Sequence, residues 1–191
     1  IEQVKAAAAS LAPHEQVRVS RPDGLYYDAD EILGGLIRSE VPPIGQASQR
    51  LVKLGVTGIN DMTPTNDGVA WDWFLGLQNS GDLLQRVRMS GRAELSAQSS
   101  LPGLTCGEVK VHLHDTVLPE LESFVELIGT SHSSGRGVAV HCVTEVELVF
   151  TLAAFRAAGT LKGDRIEHAS VMPFELVEQV VELGLGVVTQ P

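Results

Sequence analysis

The 191 residues include 24 acidic and 14 basic side chains, giving a net charge of −10 and a pI near 5.0. Such a field repels phosphates, which argues against nucleic acid and anionic membrane surfaces and leaves a small molecule as the expected partner. With 43% hydrophobic and 20% charged residues the chain can bury one sizeable core, and its two cysteines, Cys106 and Cys142, form no CxxC pair. A disulfide scaffold and a cysteine zinc site are therefore disfavoured, and a reducing cytoplasm is the expected setting.

In chain order, the start at Ile1 lacks methionine and the basic-then-apolar order of a signal peptide, and no stretch approaches the roughly 20 apolar residues that span a bilayer. An alanine-rich turn over residues 4–11 precedes a segment punctuated by Pro and Gly. Helical spacing resumes over residues 30–37, breaks at Pro42 and Pro43, and returns over residues 47–54 until Gly55 stops it. Short apolar runs then predict strands at residues 56–60, 86–89, 109–113, 138–141, 165–168 and 186–189. Between the fourth and fifth, Leu148, Leu152 and Phe155 recur at helical steps, as Leu176, Val180 and Leu183 do between the fifth and sixth.

These six β/α units carry strands apolar on both faces, as in Val138-Ala139-Val140, which suits a parallel sheet covered on both sides. No G-x-G-x-x-G follows a strand and no P-loop occurs, so the pattern favours a barrel over a nucleotide-binding sheet. A closed eight-stranded barrel typically needs about 250 residues, so two strands are expected to lie outside this chain. The last residues stop at an apparent strand end, and both termini read as cut.

The chemistry-bearing residues sit where parallel α/β folds keep their sites, at strand ends. His141 and His168 each close a run, one unit apart, and an imidazole on a rigid strand end is a natural zinc ligand. The plainer reading is two packing histidines. Lys110 lies one unit earlier within an apolar strand, where an unpaired ammonium is costly. Either burial favours its neutral amine, which can take up carbon dioxide, or the side chain snorkels to solvent.

Period two puts Lys110, His112 and His114 on one strand face. His112-Leu113-His114 also has the H-x-H spacing of a first-strand ligand pair, but at least two good units precede it, so His112 and His114 are assigned to substrate contact. Asp61 either binds substrate or caps its loop, Trp71 and Trp73 either wall a pocket or pack, and His14 and His132 receive no role.

The segments Gly55-Val56-Thr57-Gly58-Ile59-Asn60-Asp61, Gly107-Glu108-Val109-Lys110, Val138-Ala139-Val140-His141 and Asp164-Arg165-Ile166-Glu167-His168-Ala169, followed by residues 186–191, occur in an order that resembles the amidohydrolase superfamily. The likeness is to its family-3 branch, which includes N-substituted formamide deformylase-like proteins, and it covers roughly residues 50 to 191. It implies an α/β fold, a (β/α)8 TIM barrel of the metal-dependent hydrolase type, of which residues 1–191 hold about strands 2 to 7. Residues 1–50 are then a helical and loop segment after strand 1, and residues 51–191 are six β/α units.

The resemblance further implies Lys110, His141 and His168 as metal ligands, with Lys110 matching a lysine that can be carbamylated, and one or two divalent ions, commonly zinc. The implied reaction is hydrolysis of a C–N bond outside peptides, in an amide, formamide or cyclic ureide, by metal-activated water. The H-x-H pair and the catalytic aspartate of that pattern are expected outside this chain. The competing expectation is a non-catalytic remnant that binds metal or forms homo-oligomers.

Overall fold

Valine and isoleucine runs bounded by glycine set the strand positions. The computed structural model describes Gly34, residues 43–98 and residues 100–190. The elements are α1 (Ile44–Lys53), β1 (Gly58–Asp61), α2 (Gly68–Ser80), β2 (Arg86–Gly91), a 3-10 turn (Ala93–Ala97), β3 (Leu104–His112), α3 (Leu121–Ser133), β4 (Val138–Cys142), α4 (Glu145–Ala158), β5 (Arg165–His168), α5 (Phe174–Glu182) and β6 (Gly186–Val188). All six expected strands are present, within a few residues of their predicted ends. β3 starts earlier than predicted because a register shift between Met89 and Gly91 lets Leu104 to Cys106 pair with β2.

The chain divides into two units, Ile1–Pro43 and Ile44–Pro191. Of the first, the readings over residues 4–11 and 30–37 and His14 lie outside the described residues, apart from Gly34, which is helical. The second holds all the described strands. No described helix is long and apolar enough to cross a membrane.

The expected (β/α)8 barrel is corrected. Among the described residues the sheet has six strands in the order β1 to β6, every neighbouring pair parallel, and β1 and β6 are open edges. Closure requires the two edge strands to pair, and here they do not. The fold is an α/β half-barrel.

The sheet nevertheless curls strongly. Arg165 on β5 donates from Nη2 to the Met62 sulfur just past β1 at 3.1 Å. Across a flat sheet, four strand spacings would separate those two strands by about 19 Å.

Side-chain parity divides the sheet into two surfaces. Val109, Val138, Val140 and Ile166 face the helices and pack with Phe124, Ile128, Leu148, Leu152 and Phe155. Val87, Met89 and Leu104 pack with Trp71, Phe74 and Leu95 in a second cluster. The alternate residues face the concave side: Arg88 and Ser90 on β2, Glu108, Lys110 and His112 on β3, Ala139 and His141 on β4, and Arg165 and Glu167 on β5. Hydrophobic burial against helices thus leaves a polar hollow on the other face.

Candidate functional site

The register of β3 and β4 sets His112 opposite His141 and Lys110 opposite Ala139. The small alanine leaves room beside the lysine stem, and Lys110 is buried. The His112 and His141 ring centroids lie 4.1 Å apart, with His114 a further 4.5 Å from His112 and His168 4.5 Å from His141. Four imidazoles therefore form one row across the C-terminal ends of β3, β4 and β5. A cavity of about 360 Å³ opens here, lined by Lys110, His112, His141, Glu167 and His168 together with residues following β1 and residues from the end of β6 onward.

His168 reaches the row through a backbone device. Its register partner is Cys142, which is fully buried on the helix side, so alternation alone would turn His168 away from the hollow. His168 instead has φ of 74° and Ala169 φ of 49°, both left-handed. Non-glycine residues adopt this region rarely, and consecutive instances at a strand end mark a site where the surrounding structure holds an unfavourable conformation.

Beneath the row lies a chain of charges. Glu108, buried, binds the Arg88 guanidinium at 2.7 Å, the Ser90 hydroxyl at 3.0 Å and Arg165 Nη1 at 3.0 Å. Arg165 also donates from Nε to Glu167 at 2.6 Å. With the Asn60 amide oriented to satisfy its neighbours, its nitrogen donates to the Arg88 carbonyl and its oxygen accepts from Arg165. One guanidinium thus joins β1, β3 and β5 inside the curl.

Protonation follows from these surroundings. Burial lowers the Lys110 pKa, with the Glu167 carboxylate opposing and Arg165 reinforcing the effect. Burial also pushes His141 down to about 4, helped by His112, His168 and Lys110. His112 is lowered by its burial and then by His114 and Lys110. Burial raises the Cys142 thiol to about 12, which removes it as a thiolate ligand.

For His141 the sign is direct, because a depressed folded pKa makes the unfolded chain take up the proton first. Stability contributed by its neutral ring is complete above about 6.5 and declines as pH falls toward 4. His141→Asn is expected to flatten part of the unfolding midpoint's decline across that window, measured by thermal melts at successive pH values.

The structure brings Lys110, His112, His141 and His168 to one cavity, with His114 packed on His112. Asp61 caps its loop, accepting from Thr63 N at 2.9 Å and Asn66 Nδ2 at 2.6 Å. Trp71 is buried in the core and Trp73 packs edge-on against Phe74, so neither lines the cavity. His132 lies on α3 and pairs with Asp164 at 3.0 Å. The residues that sequence reasoning left without a role are Arg165, Glu167, Glu108 and Glu147. The first three occupy alternate positions in otherwise apolar strands, a signal open to reading.

As a metal site the donor set is chemically suitable: His141 is a neutral imidazole at ordinary pH, and His112 and Lys110 are shifted toward their neutral forms. The rings pack edge to face, however, and among the described residues no group of three His, Cys, Asp or Glu side chains is arranged as a ligand set. Coordination requires the rings to turn about their side-chain bonds.

No protein-family model and no curated protein match this chain. Solved structures do. An uncharacterised metal-dependent hydrolase from Pyrococcus horikoshii OT3 is 20% identical over 87% of this chain and 41% of its own, with a TM-score of 0.69. A second, from Pyrococcus furiosus, is 18% identical over 99% and 47%, with a TM-score of 0.72. A Xaa-Pro dipeptidase with methionine bound in its active site is 18% identical over 75% and 44%, with a TM-score of 0.52. These likenesses establish a shared fold over the covered part, and the chain spans less than half the length of each structure.

Proposed function

We propose that this chain carries the metal-holding mouth of a metal-dependent hydrolase acting on C–N bonds of small molecules such as amides, formamides or cyclic ureides, in the manner of the amidohydrolase family-3 branch. The observation that carries the proposal is the row of four imidazoles beside a buried lysine at the strand ends. The fold shared with two structures of metal-dependent hydrolases supports it.

In this reading His141, His168 and Lys110 hold one or two divalent ions, zinc being the natural choice for imidazole donors. A bound ion lowers the pKa of water toward neutrality and polarises a substrate carbonyl. The chain's own residues do the rest. His112 and His114, on the open side of the row, orient the substrate. Glu167, fixed by Arg165, faces the cavity as an acceptor for a substrate N–H, and Met62 and Pro64 restrict water on the β1 side. A neutral Lys110 nitrogen can bond the carbon of carbon dioxide with loss of one proton, giving a carbamate whose oxygens are metal ligands.

A second reading is a non-catalytic cation-binding piece, favoured by the chain's coverage of 41% and 47% of the two hydrolase structures. Elemental analysis after equilibrium dialysis against zinc, combined with a hydrolysis screen over amides, formamides and cyclic ureides, separates the readings. Zinc with turnover supports the enzyme, and zinc without turnover supports the second reading. His141→Ala and His168→Ala, checked for folding by circular dichroism, are each expected to lose at least about 100-fold in zinc affinity, the upper end of what supporting groups around a metal contribute. Unchanged zinc binding in both variants would overturn the assignment.

A further inference from the structure

We propose that Glu147 is a positioning residue for the histidine row, its carboxylate fastening the loop after β3 to the loop after β4 and thereby setting the His112 to His141 separation. The role of that row as a metal site rests on the function proposed above. The fastening itself does not.

Glu147 is the third residue of α4 and completes a capping box with Thr144, whose hydroxyl accepts from Glu147 N at 3.3 Å. In such a box the glutamate accepts only from the N-cap backbone N–H. Here Oε2 accepts from Thr144 N at 3.0 Å and also from Val143 N at 2.7 Å. Oε1 then accepts from Asp115 N at 3.1 Å, a residue 32 positions earlier in the chain. The side chain is buried, so these bonds are shielded from competing water.

The Asp115 bond lies where the sheet stops providing a link. β3 and β4 pair in register as far as His112 and His141, after which β3 ends and β4 runs one residue further, to Cys142. Asp115 directly follows His114, and Val143 lies two residues beyond His141. The Glu147 bonds are thus the next tie between the two segments that carry three of the four imidazoles. All three partners are N–H donors, so a carboxylate satisfies them and a carboxamide sets an NH2 group against one of them.

The test compares Glu147→Gln with Thr144→Ala, which removes the other half of the capping box and leaves the Asp115 bond. Both are expected to lower the unfolding midpoint by similar amounts. Only Glu147→Gln is expected to shift the His112 and His141 ring resonances and weaken the ring-to-ring nuclear Overhauser effect in metal-free, histidine-labelled protein. It is also expected to reduce Co²⁺ affinity about 10- to 100-fold, the loss typical of supporting groups around a metal. If Glu147→Gln does not fold, Glu147→Asp, which keeps the charge at the cap but is one methylene too short to span both loops, gives the same reading.

Ring contacts in the Glu147 variant that match those of Thr144→Ala would overturn the positioning role. Failure of the wild-type protein to bind Co²⁺ would overturn the metal site instead, while the metal-free ring contacts still decide the role of Glu147.

Discussion

Arg165→Met is expected to destabilise the protein by about 3–5 kcal/mol, the cost of removing one partner from a buried charge network, measured by urea unfolding. The guanidinium bridges Glu108 at 3.0 Å and Glu167 at 2.6 Å and reaches the Met62 sulfur at 3.1 Å. Methionine preserves much of the apolar stem, so the loss reports the charge rather than the packing. Glu108 keeps Arg88 and Ser90, whereas Glu167 retains only the neighbouring charge of Lys110 among the cations described here. Adding Glu167→Gln to Arg165→Met is therefore expected to recover part of the loss, and the double-mutant cycle measures the coupling.

The same replacement has a pH signature. Burial alone would raise the Glu108 carboxyl, but the Arg88 hydrogen bond and the charges of Arg165 and Arg88 outweigh it and hold the pKa below its ordinary 4.5. That stabilisation is complete above the unfolded value and is lost as pH falls through the folded one. Without Arg165 the loss sets in at higher pH. A destabilisation under about 1 kcal/mol would mean that the network behaves as a screened surface cluster.

Much of the architecture was legible because burial writes a clear pattern into short parallel strands. Val138-Ala139-Val140 and Arg165-Ile166-Glu167 set out their ends and their faces, and parity alone groups Lys110 with His112. The eight-strand expectation came from the preference for a barrel, to which the family resemblance added, while the residues supplied six apolar runs; among the described residues the six strands leave two open edges. His168 was placed at the mouth by its terminal position, although alternation predicts the opposite face. The left-handed turn that reconciles the two has no reliable signal in His-Ala.

Arg165 and Glu167 could have been read from charges recurring at every second position of a buried strand, but their partners depend on curl, which brings β1 close to β5. Thr144-x-x-Glu147 is a recognisable cap in sequence. Its bond to Asp115 is a tertiary event between loops 32 residues apart, and nothing local encodes it.

Lys110→Met is expected to separate stability from function in opposite directions. The lysine is buried, and its burial lowers its pKa from an ordinary 10.5 despite the opposing Glu167 charge. Where both folded and unfolded chains carry the proton, the folded state bears the full desolvation cost. Methionine removes that cost with little change in volume, and Arg165 remains to balance Glu167. At pH 7 the metal-free variant is expected to be as stable as wild type or more stable, by up to about 2 kcal/mol, because replacing buried charge with apolar groups is often neutral or stabilising.

Above the lowered folded pKa the unfolded wild-type chain binds more protons than the folded one, so wild-type stability rises with pH until about 10.5. The variant lacks this rise, so its advantage is expected to shrink across the same window in thermal melts between pH 7 and 10.5. Zinc affinity is expected to fall at least about 100-fold in the same variant, the upper end of losses around metal sites. A stabilised fold with a lost metal identifies a residue retained for chemistry at a structural cost. A Lys110→Met protein that is markedly less stable at pH 7 and binds zinc as wild type does would instead assign the lysine to the charge network beneath the row.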